Sequence, residues 1–191
     1  MIKAILLAAG QSKRLKSENK LIKLYKKKPL INHSLKALHK SKVNKVIIVL
    51  GYQHKEVKKI IKKDKKNVFI YNKNYRKGMA SSIKVGLKQI SRNDKGFIIV
   101  QSDMPFIKTP DINKIYNSIK LKNNLVHALK FKNKIGNPIG FDLSLRKKFK
   151  NIEGKFGAKF MVKRLKDRTK FIKTNSAKSF KDFDKISDFR N

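Results

Sequence analysis

Hydrophobic positions fall into short runs separated by stretches of helical spacing. Residues 1–7 hold Ile2, Ala4, Ile5, Leu6 and Leu7, a run with the length and bounding glycine of a buried strand. Residues 45–50 (KVIIVL), 67–71 (NVFIY), 96–102 (GFIIVQS) and 125–129 read as further strands. Between them, residues 29–40 place Leu30, Ile31, Ser34, Leu35 and Leu38 on one helical face, with Pro29 suited to a first helical position. Val57, Ile60 and Ile61 mark a short helix. Residues 79–90 carry Met79, Ile83, Gly86, Leu87 and Ile90 at helical spacing, and residues 111–120 carry Ile112, Ile115 and Ile119. The alternation predicts the α/β class, a mostly parallel sheet with right-handed crossovers and helices on both faces. No linker or internal repeat interrupts it, so residues 1–191 are expected to form one domain. Ligands of such sheets bind beyond the carboxyl ends of the strands, so the loops after Leu7, Leu50 and Ser102 should face one crevice.

Composition narrows the picture. Hydrophobic residues make up 40% of the 191, enough for a globular core. The absence of cysteine excludes disulfides, thiolate metal sites and a thiol nucleophile. No apolar run approaches the roughly 20 residues of a membrane span, and a cytoplasmic protein without a membrane partner is expected. The net charge of +38 invites a nucleic-acid reading. Yet the lysines are spread from Lys3 to Lys185 and interleave with apolar positions as a solvated face would. They accompany abundant Asn and Ile, as an A+T-rich coding sequence would produce, and no recognition motif stands among them. Specific nucleic-acid binding is therefore not expected, although loose polyanion binding at low salt is.

Candidate chemistry lies in the loops. After Leu7 the side chains shrink to Ala8, Ala9 and Gly10 and then turn polar and basic through Gln11-Ser12-Lys13-Arg14. Exposed main-chain N–H groups there, with Lys13 and Arg14, suit an anion such as a triphosphate; a tight turn with a solvated basic loop is the plainer reading. Asp103-Met104-Pro105 puts a carboxylate at the end of a buried strand, where Mg²⁺ takes one or two carboxylates plus substrate phosphates; a turn-capping role is the alternative. Asn74 to Ser82 leads through Gly78 into a helix whose Ser81 and Ser82 can cap it or bond a base. Gly136-Asn137-Pro138 reads as a constrained loop able to meet a second substrate, or as a plain turn. Near the C-terminus Asp182, Asp184 and Asp188 cluster in a chain with only 12 acids; Asp182 or Asp184 is placed to complete a metal site with Asp103, and a terminal cap is the plainer reading. The four histidines, His33, His39, His54 and His127, show no metal-ligand spacing and read as structural.

Taken in order, Leu7-Ala8-Ala9-Gly10-Gln11-Ser12-Lys13-Arg14, Asn19-Lys20-Leu21, Pro29-Leu30-Ile31, Gly78-Met79-Ala80-Ser81-Ser82, Asp103-Met104-Pro105 and Gly136-Asn137-Pro138 resemble the MobA-like NTP-transferase family of nucleotidyltransferases. The last motif, with Gly157-Ala158 after it, resembles the molybdenum cofactor cytidylyltransferase branch in particular. The resemblance implies a Rossmann-like three-layer α/β/α fold of the nucleotide-diphospho-sugar transferase type. It implies Mg²⁺-dependent transfer of a nucleotide monophosphate from an NTP, CTP favoured and GTP possible, to a phosphorylated acceptor such as molybdopterin. By the family pattern, Leu7, Ala8, Ala9 and Gly10 would contact the nucleotide. Arg14 and Lys20 would bind the triphosphate, and Gly78 and Ser82 would border base or ribose. Asp103 and Asp184 would ligate Mg²⁺, and Asn137 and Pro138 would meet the acceptor. A transferase acting on a sugar phosphate or another small acceptor is the second reading, and a basic nucleic-acid-binding protein on a degenerate transferase scaffold the third. Three departures from the family pattern stand out: Leu15-Lys16 follows Arg14 where Met-Gly is usual, Lys155 stands where the family carries an acid, and Lys185-Ile186-Ser187 follows the terminal acids where Thr-Pro-Glu is usual.

Overall fold

The computed structural model describes residues 1–12, 15, 18–154 and 157–190. Its centre is a seven-stranded sheet built from β1 (Ile2–Ala8), β4 (Val46–Leu50), β5 (Asn67–Tyr71), β6 (Gly96–Gln101), β7 (Val126–Phe131), β8 (Lys134–Asp142) and β9 (Thr169–Lys173), in the order β5-β4-β1-β6-β8-β7-β9. A two-residue hairpin, β2 (Leu24–Tyr25) with β3 (Lys28–Pro29), lies apart from it. β1 pairs parallel with β4 and β6, β4 with β5, and β7 with β9; only β8 runs antiparallel to its neighbours, β6 and β7, among the described residues.

Strand alternation assigns the core. Ile2, Ala4, Leu6 and Ala8 of β1 point to one face, where they meet Leu30, Ile31, Leu35 and Leu38 of α1 (Leu30–His39), Val57 of α2 (His54–Lys59) and Ile112, Ile115 and Ile119 of α4 (Thr109–Lys120). Ile5 points the other way, with Ile47 and Val49 of β4, onto Ala80, Ile83 and Leu87 of α3 (Met79–Leu87) and Ala158, Met161 and Val162 of α5 (Ala158–Arg164). The result is the Rossmann-like three-layer α/β/α arrangement. Each buried Leu or Ile contributes roughly 1.5–3 kcal/mol against exposure, so the two faces together outweigh a chain of extreme charge.

Several elements depart from the sequence reading. Residues 136–138, expected as a loop or turn, lie inside β8. Gly136, Pro138 and Gly140 disfavour an isolated strand, but residues 139–141 pair with both β6 and β7 and residues 134–136 with β7, leaving Asn137 and Pro138 to span the register shift between Ala128 and Leu129. The Asn137–Pro138 peptide bond is cis. β9 and α5 were also unmarked by the pattern. In α3 the helix ends at Leu87 rather than Ile90, and in α4 it begins at Thr109, with Pro110 in its first turn.

Candidate functional site

The carboxyl ends of β1, β4 and β6 open onto a common crevice, and short polar contacts hold its loops together. At the end of β6, Ser102 Oγ donates to Leu7 O at 2.6 Å, and Ser34 Oγ of α1 lies 3.1 Å from Met104 O, so Asp103 sits on a loop pinned from both sides. After β4, Tyr52 N donates to Ala9 O (3.4 Å), and Asn19 Nδ2 donates to Tyr52 O (3.2 Å). A Cβ on Gly51 would lie 2.7 Å from both Ala9 Cβ and Tyr75 Cβ, so only glycine lets these loops meet. Gly78 enters α3 with φ +98°, a left-handed conformation that disfavours any other residue, and Ala80 N donates to Gly154 O (3.1 Å).

At the centre stands Lys20. Its Nζ donates to Asp103 Oδ2 at 2.6 Å, to Asp184 Oδ1 at 2.8 Å and to Phe183 O at 2.9 Å, which commits all three ammonium hydrogens. Its backbone N donates to Ser12 Oγ (3.0 Å), and Ser12 itself turns through φ +52°. Asp184 arrives from the far end of the chain because Phe183 is anchored: its ring is 1% exposed and meets Tyr25, Phe106 and Phe189 edge-on or tilted. Phe183 N also donates to Asp103 O at 3.0 Å, joining the two acidic segments directly.

Electrostatics at this cluster are lopsided. Burial works against the Lys20 ammonium, but Asp103 and Asp184 more than offset it and hold its pKa above the ordinary lysine value. Burial pushes the Asp103 carboxyl up. Lys20 pulls it back, Asp182 adds repulsion, and the net position is above the usual carboxylate range. Asp103 Oδ1 is buried and has no hydrogen-bond partner among the described residues. That orphaned oxygen suits a divalent cation, which takes carboxylate oxygens that protein donors leave free. No group of three or more metal-ligating side chains occurs among the described residues, so a cation here would be completed by oxygens from substrate and water.

Two adjoining cavities flank the cluster. The larger, about 520 Å³, is lined by Leu7, Ala9, Gly10, Gly78, Ser82, Lys20 and Asp103. The smaller, about 290 Å³, is lined by Ser12, Lys20, Met79, Asp103, Asp182 and Asp184. The structure thus brings together Leu7, Ala9, Gly10, Lys20, Gly78, Ser82, Asp103 and Asp184 from the sequence-derived candidates. Ala8 points the other way, 1% exposed in the core against α1, as alternation along β1 requires. Asn137 and Pro138 line neither cavity; Asn137 is buried in β8 with Oδ1 unpartnered among the described residues. Arg14, Lys13 and Lys155 lie outside the described residues. Sequence reasoning placed Ser12 in the candidate loop without giving its side chain a role, and it missed Gln101 and Asn72. Ser12 and Gln101 line the crevice, and Asn72 is a buried amide just after β5 whose only sequence signal is a polar residue closing a short apolar run.

The MobA-like NTP transferase domain matches residues 4–169. Among curated proteins, the bifunctional protein GlmU of Clostridioides difficile is 27% identical over 147 residues, covering 76% of this chain and 31% of that protein. The 2-C-methyl-D-erythritol 4-phosphate cytidylyltransferase of Lachnoclostridium phytofermentans is 34% identical over 128 residues, covering 63% of this chain and 53% of that protein. The chain spans only 24% to 40% of the length of the GlmU proteins it matches. Among solved structures, Rv0371c from Mycobacterium tuberculosis superposes with a TM-score of 0.86 at 18% identity, covering 99% of this chain and 95% of that one. A second structure of that protein is its complex with manganese. No helix among the described residues is long and apolar enough to cross a membrane.

Proposed function

This chain belongs to the MobA-like NTP transferase family, and from that premise we propose that it transfers a nucleoside monophosphate from an NTP, CTP foremost, to a small phosphorylated acceptor such as molybdopterin, releasing pyrophosphate. The observation that carries the reading is the Asp103–Lys20–Asp184 cluster at the junction of two cavities, one of them walled by the small residues Ala9, Gly10 and Gly78. A surface that merely attracted polyanions would gain nothing from carboxylates in its cleft, which sets the nucleic-acid reading aside.

In this scheme the nucleoside lies along Leu7, Ala9, Gly10, Gly78 and Ser82, with Ala8 taking part through its main chain alone. Arg14 and Lys20 hold the triphosphate. Asp103 and Asp184 would hold Mg²⁺, which when bound offsets the negative charge of both phosphates and of the departing pyrophosphate. Lys20 must exchange at least one of its three contacts to reach a phosphate oxygen, since each of its hydrogens is committed. An acceptor phosphate is already ionised and needs no general base, which agrees with the lack of a histidine among the residues lining the two cavities. A second reading, a sugar or polyol phosphate as acceptor, draws on the cytidylyltransferase relative named above, whose name specifies such a phosphate.

A thermal-shift panel of the four NTPs with and without Mg²⁺ tests the reading, because a ligand of the folded state raises the midpoint in proportion to its affinity. One NTP that raises it only with Mg²⁺ is the expected result, followed by pyrophosphate release on adding the right acceptor. No shift with any NTP would remove the transferase assignment.

A further inference from the structure

We infer that Asn72 fixes the direction of the hydrogen bond that Ser82 offers to the nucleoside, making the serine hydroxyl a donor into the larger cavity. The inference rests on the nucleotide reading of that cavity proposed above. Asn72 is 1% exposed, at the turn between β5 and α3, and its own N donates to Leu50 O at 2.9 Å. Its amide orientation follows from its neighbour. Asn74 N lies 3.0 Å from Asn72 Oδ1, and a backbone N–H can only donate, so that end of the amide is the oxygen.

The other end is then the NH₂ group. Nδ2 lies 2.9 Å from Ser81 Oγ and 3.0 Å from Ser82 Oγ, so its two hydrogens go to the two hydroxyl oxygens, and both serines accept. Ser81 directs its own hydrogen to backbone carbonyls, Gly78 O at 2.8 Å or Asn74 O at 2.9 Å. Ser82 has no such acceptor among the described residues, yet it is 4% exposed and lines the cavity. Its hydrogen is left for whatever enters. A nucleoside seated there must present an acceptor, a carbonyl oxygen, an unprotonated ring nitrogen or a ribose oxygen, to the Ser82 hydroxyl. Asn72 touches no ligand; it acts through Ser82 as a positioning residue.

The test compares affinity for each of the four NTPs with affinity for inorganic tripolyphosphate, both with Mg²⁺, and reads their ratio. Tripolyphosphate has no nucleoside, so general effects on the phosphate site cancel. Ser82→Ala should lower the ratio roughly five- to tenfold, the size of one neutral hydrogen bond. Asn72→Asp replaces the NH₂ with an acceptor, draws the Ser82 hydrogen away from the cavity and should lower the ratio at least as far. The double variant should fall no further than Ser82→Ala alone. If Asn72→Asp does not fold, Asn72→Leu carries the test: the ratio should drop about twofold when Ser82 is present and not at all in the Ser82→Ala background. Additive losses, or an unmoved ratio in the Asn72 variants, would reduce Asn72 to a structural staple and overturn the inference alone. A wild-type protein that binds none of the four NTPs overturns the functional reading, and this inference with it.

Discussion

Two aspartates flank the same strand, Asp94 just before β6 and Asp103 just after it, and each has a lysine at close range, Lys3 at 2.8 Å and Lys20 at 2.6 Å. Their surroundings differ. Asp94 Oδ2 accepts from Lys3 and from Ser91 N (2.7 Å), and its Oδ1 faces the N-terminal ammonium at 3.5 Å. Burial alone would raise its carboxyl, but the Lys3 bond, the Ser91 N–H and the N-terminal charge bring it below the usual carboxylate range. Each leaves its Oδ1 without a hydrogen bond, but Asp103 has the Asp182 carboxylate nearby and a net shift the other way. The difference is one of charge: Asp94 is surrounded by cations and a donor N–H alone, whereas Asp103 shares its lysine with Asp184 and stands near a further carboxylate, an arrangement that an added cation would relieve. The cavities beside the two aspartates teach the same lesson. The space beside Asp94 is the larger, about 1100 Å³, and is rimmed by Arg92, Lys95, Lys122, Arg146, Lys147 and Lys150. It has charge and volume without a buried, converging set of groups.

The sharpest way to break the comparison is to remove each aspartate. Asp103→Ala should reduce pyrophosphate release by roughly 10²–10³-fold or more, because it deletes a proposed metal ligand. The thermal midpoint should stay near wild type, since Phe183 O and Asp184 still hold the Lys20 ammonium. Turnover at the wild-type rate would remove Asp103 from the machinery.

Next come the lysines. Lys20→Ala should weaken NTP binding roughly tenfold or more, the size of a charge-assisted bond to phosphate. In the absence of nucleotide it should bind Mn²⁺ more tightly than wild type, because Asp103 and Asp184 lose the cation they now share. Lys3→Ala should leave both affinities unchanged. Calorimetry with NTP and a separate Mn²⁺ titration would show whether the two lysines differ in this way.

Asp94→Asn should act on stability instead. Loss of its charge weakens the contacts to Lys3 and the N-terminus, at about 1–3 kcal/mol, with turnover per folded molecule preserved. The sign of the pH effect follows from the lowered pKa. Asp94's contribution is present above the unfolded value near 3.9 and is lost as pH falls through its lower folded value. Wild type should therefore converge on Asp94→Asn below about pH 4 when urea midpoints are followed down the pH scale.

The smallest effect belongs to His127, a buried ionisable group at neither end. Burial lowers its pKa; Nδ1 lies 2.8 Å from Ser118 Oγ, and Nε2 has no partner among the described residues. A lowered histidine pKa means the unfolded chain binds the proton first. Stability is then full above about pH 6.5 and falls with acidification until the folded value is reached. His127→Phe should flatten that decline, and an unchanged slope would mean that His127 does not titrate on unfolding.

The sequence disclosed the centre of the fold better than its edges. β1, β4 and β6 are continuous apolar runs because both their faces are covered, and such runs have no other use in a charged chain. β8 was illegible because its glycines and proline oppose a strand locally, and its conformation comes from the two strands beside it. β9, with Lys170 and Lys173 around Phe171 and Ile172, carries too little apolar signal to stand out. At the site, motif order named Lys20, Asp103 and Asp184 as candidates, but nothing in it says that one ammonium joins both carboxylates. Asn72 was missed because its meaning lies in which atoms its amide faces, which no spacing rule encodes.

Lys20 and Asp184 are separated by 164 positions. During synthesis at about 5–20 residues per second, roughly ten to thirty seconds pass between the appearance of the first and of the second. The strands β1, β4, β5 and β6 can pair well before that, since all four precede residue 102. A nascent chain therefore carries four of the seven strands while the Lys20 ammonium lacks its second counter-charge, and on the proposed function the site is complete only once Phe183 has packed against Tyr25, Phe106 and Phe189. If Asp184 holds the metal as proposed, translation order acts as a timer on the activity, releasing the means of folding early and the last part of the site late.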